Sequence, residues 1–258
     1  MGADSVVSRA PEMSSSAGTA GFLGKTIALA GKDFRVEFRA RDTVPPMLAF
    51  VIAVTLLLAF SIPSSGGSIE RSIRIPTGAV ALADVLAGFL WVTVLFAGLM
   101  AFARTFEVER NDGAIDSLLL VPLDRSGLFL AKAVANFAFI ALAEVLLIPM
   151  FLLLFGTQVG GSWPALVLVI LLADFGFVAI GTLFAAISAQ TRSRELLLPV
   201  LALPALVPVF IAAVALTSDL LAGAGFDEIA ATGWFVLLGG FDVIFGIVGA
   251  LAFDLVVD

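Results

Sequence analysis

The stretch "VLAGFLWVTVLFAGLMAFA", Val85 to Ala103, runs nineteen residues without a charge and then gives way to "RTFEVERNDGAIDSLLLVPLDRSGLFLAK", Arg104 to Lys132. A bilayer core about 30 Å thick is crossed by roughly 20 helical residues, so the first piece has the length of one membrane span. The second carries five carboxylates and concentrates Glu107, Glu109, Arg110 and Asp112 at its start, a density of charge that hydrocarbon does not tolerate. Together they set a pattern of apolar spans joined by polar connectors.

Composition extends that pattern to the whole chain. The 258 residues are 60% hydrophobic and only 14% charged, with mean hydropathy +1.12, whereas soluble domains sit at about 45–50% apolar. Apolar runs of span length occur at Val44–Ile62, Val85–Ala103, Ala133–Phe155, Pro164–Ala189, Leu196–Leu216 and Trp234–Val257. The expected fold is therefore an all-α integral membrane protein with six transmembrane helices. With no Cys, His or Tyr, thiol and imidazole chemistry, disulfides and the usual zinc sites are excluded. A net charge of −7, with only 3 Lys beside 11 Arg, argues against a nucleic-acid partner.

Loop charges orient the spans, because Lys and Arg are retained on the cytoplasmic side. Arg9, Lys25, Lys32, Arg35, Arg39 and Arg41 precede the first span, Arg104, Arg110, Arg125 and Lys132 join the second to the third, and Arg192 and Arg194 join the fourth to the fifth. Only Arg71 and Arg74 fall on the other side, so twelve basic residues oppose two. Both termini are expected in the cytoplasm, in a multi-pass protein of the cell membrane.

Ahead of the spans, residues 1–21 read as a polar, disordered cytoplasmic tail without the apolar core of a secretory signal. Residues 22–43 place Leu23, Ile27, Ala30, Phe34 and Phe38 at helical intervals, with Lys32, Arg35, Arg39 and Arg41 turned elsewhere. That spacing predicts an amphipathic helix in the membrane interface, its basic face toward lipid phosphates. Residues 44–258 form the six-helix domain. "GTAGFLGKT", Gly18 to Thr26, imitates a phosphate-binding loop, but Thr19 stands where the pattern requires glycine, so no ATP site is expected in this chain.

In the connector after the second span, "NDG" at Asn111–Gly113 is a turn signal, Ile115, Leu118 and Leu119 fall at helical spacing, and Pro122 ends the turn. A short transverse helix is expected, apolar on one side and acidic through Asp116 on the other. An element of this kind can receive force from a docked soluble partner; an ordinary solvated connector has the same composition. The charged "TRSRE" loop, with Arg192, Arg194 and Glu195, lies on the same side.

Inside the spans stand Glu144, Asp174 and Asp242. Each costs roughly 2.5–3.5 kcal/mol at the centre of an isolated helix and is expected to face the bundle or a wet cavity, as part of a polar pathway or as a bond between helices. Asp174 is the least supported of the three. Pro199, Pro204 and Pro208 are expected to kink or break the fifth span. Gly176, Gly181, Ala185, Gly246 and Gly249 are read as close helix contacts.

The "ER…G…LLL.P..R" run between spans two and three resembles the coupling segment of ABC-2-type exporter permeases. Over nearly the whole chain, the sequence is similar to the CcmB family, the membrane subunit of the haem-export ABC complex of cytochrome c maturation. The likeness rests on "KDFRVEFRARD" (Lys32–Asp42), "ERNDGAIDSLLLVPLDRSGLFLAKAVAN" (Glu109–Asn136), "AEVLLIPMF" (Ala143–Phe151), "QTRSRELLLPVLALPALVPV" (Gln190–Val209) and "GGFDVIFGIVG" (Gly239–Gly249). The resemblance implies a non-catalytic permease, a homodimer paired with a cytoplasmic ABC ATPase that binds the ATP, and membrane neighbours that pass haem to a haem chaperone. On that reading the coupling residues are Glu107, Glu109, Arg110, Asp112, Gly113, Asp116, Leu118, Leu119, Pro122, Arg125, Arg192, Arg194 and Glu195. Lacking His, Cys and Tyr, the chain offers haem iron only Met47, Met100 and Met150, so no cofactor is expected on this subunit. A permease for a lipid, drug or polysaccharide is the alternative, and an intramembrane enzyme using Glu144, Asp174 or Asp242 is a third reading.

Overall fold

The computed structural model describes nine residues between 24 and 35, then residues 43–61, 72–75, 78–105, 125–157, 159, 162–189, 191 and 194–256. Its elements are α1 (Val44–Ser61), β1 (Ser72–Ile75), β2 (Gly78–Ala81), α2 (Leu82–Arg104), α3 (Arg125–Phe155), α4 (Trp163–Ala189), α5 (Arg194–Leu221), α6 (Phe226–Ala231) and α7 (Trp234–Val256). Six of these helices, all but α6, are long and apolar enough to cross a membrane, and their positions match the six runs read from the sequence. This is a multi-pass membrane protein.

Two features depart from expectation. The connection between α1 and α2 contains an antiparallel hairpin, Ser72 pairing with Ala81 and Ile75 with Gly78, so the described chain is not purely helical. Helix α5 is continuous over 28 residues although Pro199, Pro204 and Pro208 lie inside it. Of the expected kink or break, the break is absent: a proline removes one amide donor and crowds one carbonyl, and the neighbouring turns keep their own bonds. The described residues between 24 and 35 are helical, with Thr26 and Ala30 buried and Ile27, Lys32 and Arg35 exposed. Phe34 stacks on Phe139 of α3 with ring centroids 5.3 Å apart, so this segment rests against the bundle. The expected tail and Arg39 and Arg41 lie outside the described residues.

Helix α4 is the axis of the bundle, packing against α2, α3, α5 and α7. Of its most apolar window 67% is buried, against 17% for α7 at the periphery. The exposed large side chains are apolar, Phe60, Val145, Leu153, Val236 and Leu251 among them, as a lipid-facing surface requires. Because lipid is as apolar as the core, close packing and polar bonds between helices hold such a bundle together. Both are visible.

The packing centre is a chain of rings. Phe102 of α2 meets Phe177 of α4 edge to face at 5.0 Å, Phe177 meets Phe210 of α5 at 5.1 Å, and Phe210 meets Trp91 of α2 at 5.8 Å. Glycines make room for the rings. A Cβ at Gly98 would collide with the Phe177 ring, and one at Gly181 with Phe102. The packing role read for Gly181 and Gly249 holds, the latter lying under Phe129.

Helices α2 and α5 are also bonded to each other. The Trp91 indole N–H donates to Thr217 Oγ1 at 2.9 Å, and the neighbouring Ser218 hydroxyl donates to Asp84. Trp91 is therefore a buried anchor. Thr217→Val keeps the shape and orphans the indole donor, and is expected to lower unfolding free energy in mixed micelles by about 1 kcal/mol. No loss of stability would show that the indole finds another partner.

Candidate functional site

Helices α3 and α4 run antiparallel, and their polar residues recur at matching intervals. On α3, Asn136 and Glu144 are eight residues apart; on α4, so are Asp174 and Thr182. Eight residues are about two turns, or 12 Å, along a helix, so once Asn136 meets Thr182, Glu144 is brought opposite Asp174. Both meetings occur. Asn136 Nδ2 donates to Thr182 Oγ1 at 3.0 Å, and its Oδ1 accepts from Thr105 Oγ1 at 2.8 Å, joining α3 to α4 and to the residue that follows α2. Two turns further along, the carboxyls of Glu144 and Asp174 come within hydrogen-bonding reach of each other.

This seam is buried. Glu144 is 3% exposed and Asp174 1%. Glu144 Oε1 and both Asp174 oxygens meet no donor. Between the two polar pairs lies Ile140, itself buried and turned toward Gly98. An apolar turn thus separates an amide–hydroxyl joint from a carboxyl pair.

Asp242 occupies the other side of α4. Residues two apart on a helix point about 200° from each other, so Gly176 faces away from Asp174 and toward α7. A Cβ at Gly176 would stand 2.7 Å from Asp242 Oδ1 and 3.3 Å from Val209 of α5. The bare glycine is what lets the carboxyl lie against the α4 backbone. Neither oxygen of Asp242 finds a hydrogen-bond partner. All three intramembrane acids therefore face the bundle, as their cost in hydrocarbon requires.

Asp174, the least supported of the three from sequence, is the most buried. Lys132 also changes character: counted above as a connector charge, it lies within α3, is 4% exposed, and sits one turn before Asn136. The coupling residues Glu107, Glu109, Arg110, Asp112, Gly113, Asp116, Leu118, Leu119 and Pro122 lie outside the described residues, as does Arg192. Arg125 opens α3, and Arg194 and Glu195 open α5. Sequence reading missed Thr105, Asn136, Thr182 and the Trp91–Thr217 bond. The equal eight-residue spacing on adjacent antiparallel spans was the available signal.

Helices α3, α4 and α7 also border a groove of about 440 Å³, lined by Phe129, Phe137, Phe175, Val178, Gly246 and Ala250 among other apolar residues. No group of three or more metal-ligating side chains is found among the described residues.

The family model described as CcmB protein matches residues 25–258, which takes in all six spans, the carboxyl pair and the connector. The chain belongs to the CcmB family. It is 32% identical over 184 residues to heme exporter protein B of Paracoccus denitrificans, covering 71% of this chain and 78% of that protein. Heme exporter protein B of Rhodobacter capsulatus is 30% identical over the same shares. That of Pseudomonas aeruginosa is 34% identical over 71% of this chain and 76% of its own length. As a CcmB-family member the chain is a transporter component.

Proposed function

We propose that this chain is the permease subunit of a haem exporter serving cytochrome c maturation, acting with a separate cytoplasmic ABC ATPase. The observation that carries the reading is the family match from residue 25 to residue 258, with relatives named as haem exporters across most of their length. The bundle suits the role, since it has six spans, one of them central, and acids turned inward. The basic count supports a cytoplasmic position for the ends of α2, α4 and α7 and for the Phe106–Asp124 connector. There Glu107, Glu109, Asp112 and Asp116 form the ATPase dock, with Arg192, Arg194 and Glu195 on the same face.

On this reading the permease works as a homodimer, its N-terminal amphipathic helix lies along the lipid headgroups, and partners outside hand haem to a chaperone. Iron ligation falls to a partner subunit. Haem axial ligands are usually His, Cys, Met or Tyr, and Met47, one of the three methionines in the spans, is fully buried in the core.

Charge reversal tests the dock. The protein purified with its ATPase partner should lose most of that association, and the permease-dependent part of ATP hydrolysis, when Glu109→Lys and Asp116→Lys are combined. Full association with unchanged ATP hydrolysis would refute the coupling role. Co-purification with haem-handling proteins supports the cargo assignment; glycosyltransferase or drug-transport partners would contradict it.

A further inference from the structure

We propose that Glu144 and Asp174 form a proton-binding site, one proton shared between the two carboxyls, and that this proton clasps α3 to α4 in mid-membrane. The proposal does not rest on the identity of the cargo.

The two side chains are more than nine-tenths buried and within reach of each other, yet Glu144 Oε1 and both Asp174 oxygens meet no donor. An ionised carboxylate can only accept hydrogen bonds. Two of them face to face, shielded from bulk solvent, repel at close range and each bears the cost of burying a charge. One proton removes both difficulties. It turns one carboxyl into an O–H donor whose acceptor is already in place, and the two acids then titrate as a unit.

The other charged groups on the surrounding helices do not substitute for it. Helix α1 carries none, and on the N-terminal segment that rests against α3 Lys32 and Arg35 are exposed. On α2, Asp84 and Arg104 stand at opposite ends. On α3, Arg125 opens the helix and Lys132 lies twelve residues before Glu144, about 18 Å along the axis. On α5, Arg194, Glu195 and Asp219 are terminal. On α7, Asp242 lies across α4 against Gly176, and Asp254 is at the far end. A metal ion is a poorer occupant, because hard cations take about six oxygen ligands and the pair supplies at most four.

The clasp sits two turns from the Asn136–Thr182 bond on the same seam. With the proton bound, α3 and α4 are joined at two levels. Without it, two adjacent negative charges remain in an apolar seam, and only water entry or separation of the helices relieves them. Proton occupancy is thus tied to whether the seam is closed.

Infrared spectroscopy of the full chain in lipid nanodiscs reads the proton directly. At neutral pH the wild type is expected to show a protonated-carboxyl C=O band that shifts in D2O. The Glu144→Gln/Asp174→Asn double variant, whose amides keep the shape and supply donors, should lose about one carboxyl's intensity. Asp242→Asn should leave that component in place. An independent measure is proton release on denaturation in weakly buffered detergent near neutral pH. The wild type should release about one proton per chain more than the double variant. Unchanged band intensity together with equal proton release would overturn the proposal. So would a component abolished in the wild type by sodium or potassium alone, which would mark a cation site.

Discussion

Phe177→Ala is expected to cost the bundle about 3 kcal/mol of unfolding free energy, the low end of the range for deleting a buried aromatic ring. Phe177 is fully buried and sits between Phe102 and Phe210, so its loss cuts the ring chain between α2, α4 and α5. The space it fills also extends over Gly98, whose missing Cβ admits the ring. The low end applies because helices that separate within a bilayer meet lipid instead of water. The transfer part of the penalty then shrinks, and the cavity part stays. Denaturation in mixed micelles checks the value. A cost below about 1 kcal/mol would mean that neighbouring side chains collapse into the space.

Gly181→Ala is the converse experiment, and its expected cost is about 1–3 kcal/mol from overpacking. The added methyl would land on the Phe102 ring, which is itself 1% exposed and held against Phe177. The ring cannot swing aside without opening that contact. If this is the cause, Phe102→Leu should make the alanine cheaper, so that the double variant is more stable than the sum of the two single losses predicts. Additive losses would place the penalty elsewhere, for example in helix geometry alone. Weakened assembly with the ATPase in Gly181→Ala, restored in the double variant, would connect this packing to the exporter's working state.

The spans were legible in the sequence because the bilayer imposes a length and a polarity on each of them independently of the rest of the fold. The inward placement of Glu144, Asp174 and Asp242 was legible for the same reason, since a lone acid facing lipid is too costly. The partner of each acid was not. Glu144 and Asp174 are 30 residues apart, and no carboxyls are paired within one span. Their meeting depends on the register between α3 and α4, which the Asn136–Thr182 bond reports. Asp242 was likewise invisible as a contact until α7 was seen to cross α4 at Gly176.

Three prolines in α5 suggested a kinked or broken helix, and of the two the break does not occur, because the bilayer penalises every freed backbone group and favours keeping the helix around each proline. The hairpin of β1 and β2 was under-read, its four-residue strands being too short to carry a periodic signal among polar residues. Lys132 looked like a loop charge because charge composition alone does not show where a helix begins; α3 starts before it and buries it.

By itself, the sequence determined that the chain has six runs long and apolar enough to span a membrane and that it carries no imidazole or thiol side chain. Those are properties of single segments against a solvent, and each segment meets the same bilayer wherever it sits in the bundle. The tertiary structure decided which helix lies at the centre, which glycines receive rings, and that two acids from different spans share one buried seam. Those depend on helix register and rotation, set by steric fit and a few polar bonds between residues far apart in the chain, which no single segment encodes.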